Sequence, residues 1–315
     1  MKLGKIYDFV VRQGMEQDPR GKKVLEDKLE ALVKEYNESK DKESFDVDSL
    51  SNPYADTRIL YGDKNSEIKN ILVGIDIEVA EILLADRLRQ DKKKIDLIIS
   101  HHPSGKALAS LYQVMDVQVD LLERVGMPVN FAQSLMDERI DEVKRRFLSV
   151  NHMRSPDAAK LLDIPFMCAH TPADNFAYHF VTKLLEKEKP ATLADIVSLL
   201  KKVPEYKEAE QNNCGPRIIL GSPKAKAGKI IVDMTGGTEG SKDIFERLSQ
   251  LGVSTIVAMH LSEEHFKKAK DARINAVIAG HISSDTLGLN LLFDRLEKLQ
   301  DFKLISCSGF RRIKR

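Results

Sequence analysis

The sequence predicts an α/β protein of two similar lobes, each built on a mostly parallel sheet. Two observations carry this reading. From residue 70 onward, apolar runs of strand length alternate with longer helical stretches, and such alternation implies βαβ units joined by right-handed crossovers. Four of the runs also end in histidine: residues 95–100 before His101 and His102, 165–169 before His170, 253–259 before His260, and 275–280 before His281. Buried parallel sheets take their ligands in the crevice beyond the carboxyl ends of the strands, so these histidines stand where a ligand would be held.

Residues 1–50 read as helical and highly charged, and from Lys22 to Lys42 a Lys/Glu-rich stretch carries Val24, Leu29, Leu32 and Val33, the pattern of a helix with one solvated face. Asn52-Pro53 and Tyr61-Gly62-Asp63 punctuate the chain before a strand at 70–76, a helix at 79–89 and the strand at 95–100, which Pro103 closes. A helix at 108–125, a short strand at 127–131 and a helix at 135–150 follow. After the strand at 165–169 come helices at 172–188 and 192–202. The polar stretch 204–229, with its Gly and Pro, reads as a connection between lobes. This divides the chain into a first lobe at 1–203, with an N-terminal helical segment and a helical insert, and a second at 204–315. The second runs strand 229–234, turn 235–240, helix 242–251, strand 253–259, helix 262–269, strand 275–280, helix 284–299 and strand 303–307, with the C-terminal strand free to pack back on the first lobe. The two endings Leu97 to His101 and Ala276 to His281 suggest one device used in both halves.

Composition narrows the function. With 315 residues and 42% hydrophobic content the chain can fill one large or two ordinary cores. Lys+Arg of 49 against Asp+Glu of 48 leaves a net charge of +1, which argues against a dedicated nucleic-acid binder. Cys168, Cys214 and Cys307 are odd in number and far apart, as reduced thiols are. No run approaches the ~18 apolar residues of a membrane span and the start lacks the apolar core of a secretion signal. A cytoplasmic protein with no membrane partner is expected.

Three motifs could carry chemistry: Ser100-His101-His102-Pro103, His170-Thr171-Pro172-Ala173-Asp174 and Gly280-His281-Ile282-Ser283-Ser284-Asp285. Imidazoles and carboxylates without thiolates make a mixed N/O set suited to zinc, iron, manganese or a related divalent ion. Five or six such groups exceed what one tetrahedral zinc needs and favour two ions. Each residue also has a plainer reading. One of His101 and His102 could be a hydrogen-bonded core residue. Thr171, Pro172 and Asp174 fit a helix cap, and Asp285 fits the first turn of a helix capped by Ser283 or Ser284. What these readings do not explain is the recurrence of a strand-end histidine beside a helix-start aspartate.

With these motifs the chain resembles the Nif-three-like family, often labelled GTP cyclohydrolase I type-two-like. The resemblance covers roughly residues 68–102, 166–178 and 229–297. It implies two divalent ions in the cleft between two α/β lobes of a ring-like homo-oligomer, with a ring-shaped hexamer as the candidate assembly. It also implies that His101, His102, Asp174, His281 and Asp285 are the ligands, Asp174 bridging. Two features depart from the family: Asp285 stands where the family has glutamate, and the segment between His102 and His170 is longer.

His170 reads either as a partner that orients a ligand or bound water, or as a core histidine. His260 ranks below the five, and His152, His179 and His265 read as surface residues. The loop Thr235-Gly236-Gly237-Thr238-Glu239-Gly240 follows a strand, so Gly236, Gly237 and Thr238 are candidates to contact a substrate phosphate, although a tight βα turn explains them equally. The function expected is a dinuclear metal-dependent hydrolase acting on a small polar substrate. A nucleotide is suggested by the family label alone. The alternative is a non-catalytic metal-binding interaction or regulatory protein.

Overall fold

A computed structural model describes all residues, 1–315, and places nine strands in two sheets. The chain opens with α1 (Leu3–Gln17) and α2 (Lys22–Glu38). In α1 Leu3, Ile6, Tyr7 and Val10 are buried at the spacing of one helical face, whereas α2 buries only Leu25 and is otherwise solvated. Then come β1 (Ile59–Tyr61), β2 (Asn70–Gly74), α3 (Val79–Gln90) and β3 (Leu97–Ser100). The insert follows: α4 (Gly105–Ala109), a 3-10 turn, α5 (Val117–Val125), α6 (Val129–Phe147) and α7 (Arg154–Leu161). β4 (Phe166–Cys168) feeds the long α8 (Thr171–Glu188), and α9 (Leu193–Leu200) and α10 (Pro204–Gln211) complete the first half. The second half holds β5 (Arg217–Leu220), β6 (Lys229–Asp233), α11 (Ile244–Gln250), β7 (Val253–Ala258), α12 (Glu263–Asp271), β8 (Asn275–Ile278), α13 (His281–Leu296) and β9 (Lys303–Ser306).

The sheets are ordered β1-β4-β3-β2-β9 and β5-β8-β7-β6. All pairings are parallel except β1 with β4 and β5 with β8, each an antiparallel edge with an irregular register. The first four strands of each order therefore correspond one to one, and α8 corresponds to α13 because each follows the strand next to that edge. The two lobes are one motif used twice.

Strand residues alternate between layers. Leu97 and Ile99 share a core with α1, α8 and α13, while Ile98 packs with Ile82, Ala85 and Ala159 of α3 and α7. In the second sheet Val257 and Val277 pack with residues of α8, α9 and α10, and Ile256 and Ala276 face α5, α6 and α11. This produces five layers, helix, sheet, helix, sheet, helix, with α8 and α13 packed against each other at the centre. Each fully buried aliphatic side chain contributes about 1.5–3 kcal/mol.

The structure differs from the sequence reading in several places. Residues 127–131 are not a strand: Pro128 stands at the N-cap of α6, whose Ala132, Met136 and Val143 point inward on one helical face while Val129 and Phe131 are exposed. The helix expected at 108–125 breaks at Ser110 into α4, the 3-10 turn and α5. The stretch 204–229 is not a bare connection, since it holds α10 and the edge strand β5. The matching edge strand β1 and helix α7 had no periodicity to announce them, being short. Within the insert the 3-10 turn, α5 and α6 share a core with the second sheet, whereas α7 packs on the first. β9 crosses back to pair with β2.

Candidate metal centre

The carboxyl ends of β3 and β4 and the first turns of α8 and α13 meet at one point. His101 and His102 extend β3 beyond its last residue, their amides donating to Gly74 O at 2.9 Å and Ile75 O at 3.0 Å. His170 is the N-cap of α8 and Asp174 lies one turn in; His281 begins α13 and Asp285 lies one turn in. Residues four apart on a helix share a face, so each pair presents an imidazole and a carboxylate together.

Four polar atoms aim at this point. His101 Nε2 is 3.3 Å from Asp174 Oδ1 and 3.5 Å from Asp285 Oδ1. Asp285 Oδ2 is 3.5 Å from His102 Nε2 and 3.6 Å from His281 Nε2. His101 Nε2, Asp174 Oδ1 and both carboxylate oxygens of Asp285 are buried without a hydrogen-bond partner. An unpaired buried polar group costs about 1–3 kcal/mol and a charged one more. Four together are tolerated where a cation answers them, so the residues present fit a divalent ion.

The histidines are pre-oriented for that role. Three of the four have Nδ1 engaged: His101 with Ala169 O at 3.2 Å, His102 with Asp76 at 2.7 Å, and His170 with Asp56 at 2.8 Å. Asp56 is fully buried and also accepts from the Thr171 hydroxyl at 2.6 Å. A partner on Nδ1 sets the tautomer and leaves Nε2 to bind a metal. Ligand-capable atoms lie within 4.8 Å of one another in three sets: His101, His102 and His170; His102, His281 and Asp285; His101, Asp174 and Asp285.

Burial pushes His101 down to about 3, so its ring is neutral. Burial likewise pushes Asp174 up to about 6. At His102 burial acts downward, but Asp285 and Asp76 outweigh it and hold the ring up at about 10. Burial would raise Asp285, and the surrounding His101, His102 and His281 instead hold it below its usual value.

All five residues expected as ligands come together, and so does His170, which forms a set with His101 and His102 rather than standing behind them. The capping readings do not hold. α8 begins at Thr171 with its hydroxyl turned to Asp56, and Ser283 and Ser284 lie inside α13, donating to Gly280 O. Asp285 faces two of the three sets with one oxygen each, whereas Asp174 turns its second oxygen toward His170 at 3.8 Å.

The second lobe supplies the opposite wall. Gly237, Thr238, Glu239 and His260 line the same cleft, a cavity of about 50 Å³. Gly236 instead turns toward the insert, its carbonyl accepting from Gln118 at 2.8 Å. α11 starts only at Ile244, so the glycine loop does not run directly into a helix. Glu239 lies 3.3 Å from His260 and 3.6 Å from His265; burial acts to raise its carboxyl, and these histidines hold it down to about 2. His265 is buried, not a surface residue, and contacts Gly240 O at 3.0 Å.

Three contributors were missed in the sequence. Asp76 follows β2 at the same carboxyl edge and was discoverable by the rule that located the histidines. Asp56 lies in an irregular segment with no pattern around it, and Glu239 sits inside the glycine loop, where the glycines and Thr238 drew the reading instead.

Comparisons with known proteins bear on the fold that carries this site. A NIF3 superfamily protein from Sphaerobacter thermophilus is 27% identical, with a TM-score of 0.72 over 81% of this chain and 92% of that one. The resemblance to the Nif-three-like family that the motifs carry is thus matched by a likeness in fold and sequence. The reduced HcgD from Methanocaldococcus jannaschii shares the fold at 15% identity, with a TM-score of 0.52 over 88% of this chain and 96% of that one. No family model matches the sequence, and no curated protein matches it. The chain has no helix long and apolar enough to cross a membrane.

Proposed function

We propose that this Nif-three-like protein is a dinuclear metal-dependent hydrolase acting on a small polar substrate, with a phosphorylated compound such as a nucleotide as the substrate class to test first. The observation that supports it most is the set of orphaned, buried donor atoms on His101, Asp174 and Asp285. The donors outnumber one tetrahedral shell, and Asp285 faces both sides, which supports two ions with Asp285 between them. Zinc, iron and manganese all suit the N/O set. His101, Asp174 and Asp285 would hold one ion; His102, His281 and Asp285 would hold the other, with His170 joining from the β4 side.

Divalent ions held there would acidify water and polarise a substrate oxygen. The chain's residues do the rest. Asp56, Asp76 and Ala169 O fix the imidazoles. The buried side formed by His101, Asp174 and Asp285 excludes bulk water, while His102 and His281 are partly exposed and mark the open side. The cavity of about 50 Å³ that His101, Asp174, His281 and Asp285 share with Gly237, Thr238 and His260 has room for the reacting group of a small substrate.

Elemental analysis of protein loaded with zinc, manganese or iron, followed by assays on nucleotides and phosphate esters, tests the reading. About two ions per chain and turnover lost in both Asp174→Asn and Asp285→Asn are expected. Turnover that survives Asp285→Asn removes the shared-carboxylate site. Full metal occupancy with no turnover on any compound favours a metal-binding interaction protein.

A further inference from the structure

The first sheet has a strand that the second lacks. In the correspondence of lobes β6 matches β2, and the outer edge of β2 is covered by β9, whereas β6 is the last strand of its sheet and has β7 on one side only. Along its bare edge lies a cavity of about 510 Å³, separate from the metal cleft. β6 forms its floor, and side chains of α5 and α8, among them Leu121, Val125, Tyr178 and Leu185, form its two walls.

We propose that this slot binds an extended peptide segment of a partner protein, which adds to β6 as a fifth, parallel strand with apolar side chains on both faces and acidic residues ahead of them. The position is that of β9, whose Leu304 packs into one layer and Ile305 into the other, so a strand seated here meets apolar surface on both sides. The exposed edge offers main-chain donors and acceptors, which an extended peptide satisfies and a purely apolar ligand does not. Arg124, Lys189 and Lys229 line the end of the slot where β6 begins, with Glu186 beside them, while Asp233 lies at the other end of β6. Lys229 Nζ donates to Val125 O at 2.9 Å, which fixes the end of α5 at that mouth. The excess of cations there complements acidic residues at the start of a parallel strand. Because α5 and α8 wall the edge on both sides, the β6 strands of two copies cannot reach one another, and a slender segment fits where a second sheet does not.

The probe is a fluorescently labelled heptapeptide of two aspartates followed by five alternating valine and isoleucine residues, titrated against the full-length protein by anisotropy. Micromolar binding is expected, weakened at least tenfold by Leu121→Trp, which fills the slot. The exposed pair Arg124→Glu and Lys189→Glu, which leaves the core untouched, should weaken the acidic peptide about tenfold and strengthen a lysine-led version. Methylating alternate amides should abolish binding in one register and spare it in the other, since only one edge of the peptide pairs with β6. Absence of binding at about 1 mM peptide would overturn the proposal, as would equal binding of both methylated registers. So would dodecanoate occupying the slot in the absence of any peptide binding, which would make it an amphiphile cavity.

Discussion

Asp56 controls more of the candidate metal centre than its place behind His170 suggests. Its carboxylate accepts from His170 Nδ1 and Thr171 Oγ1 and also sits at the entry to α8, so it sets both an imidazole and the helix that carries Asp174. Removing a carboxylate that orients a ligating histidine typically costs 10–100-fold in metal affinity. Asp56→Asn is therefore expected to weaken metal binding by about that factor, and to lower stability by about 1–3 kcal/mol because a fully buried acceptor is lost. Competition with a chelating dye and a thermal melt read the two effects separately, and unchanged affinity would show that His170 is not part of the metal set. The same scale predicts proton release. His102 is held up at about 10 and Asp174 at about 6, so the metal-free protein carries a proton on His102 at neutral pH, and on Asp174 below about 6. A metal binds only the deprotonated forms, so affinity falls as pH drops, and loading near pH 7 expels a proton. Calorimetric titration with manganese in two buffers of different ionisation enthalpy should give different apparent heats; equal heats would contradict the assignment of His102. The histidines and aspartates at strand and helix ends were visible in the sequence because their spacing repeats. Asp56 was not, since its role comes from a tertiary meeting with a histidine 114 residues away.

The elements that carry the ligands are held by one close crossing. α8 and α13 bring Asp174 and Asp285 together, and at their contact Gly288 has no side chain: a Cβ there would lie 2.2 Å from Ala173 O, in the first turn of α8. In a solvated helix Gly→Ala gains about 1 kcal/mol from propensity. Here the backbone of α8 is in the way, so overpacking of about 1–3 kcal/mol wins. Gly288→Ala is expected to lower the melting temperature and reduce metal stoichiometry by pushing the helices apart, and a stabilised variant with full metal content would disprove the close crossing. The helix containing Gly288 was legible from its period, but nothing in one sequence says which neighbour passes so near. The insert shows the same limit. Met127, Val129 and Phe131 have strand-like propensity, and the helical face of Ala132, Met136 and Val143 overrides it once the second sheet is there to cover it.

At the scale of the molecule, the repeated lobe explains why the cleft forms: α8 and α13 occupy equivalent positions, so their N-terminal ends meet on one side of the central layer. The repeat was only hinted at in sequence, since its evidence lies in strand order and not in matched residues. The ring-like homo-oligomer implied by the family resemblance is a proposal that one surface supports. Leu83 and Leu84 on α3 are 54% and 47% exposed, and Leu161 at the end of α7, which packs against α3, is 85% exposed. Apolar residues gathered on a solvent face mark association surfaces more often than isolated ones do. None of them belongs to the ligand sets or lines the cleft, so replacing them separates assembly from metal binding. Leu84→Glu combined with Leu161→Glu places two charges in any interface built there, where each desolvated and unpaired charge costs several kcal/mol. Light scattering should show the wild-type chain as an oligomer and the double variant as a smaller species, with metal stoichiometry unchanged in both. If the variant keeps the wild-type mass, this face is not the contact; if the wild-type chain is itself a monomer, the ring is excluded for this protein.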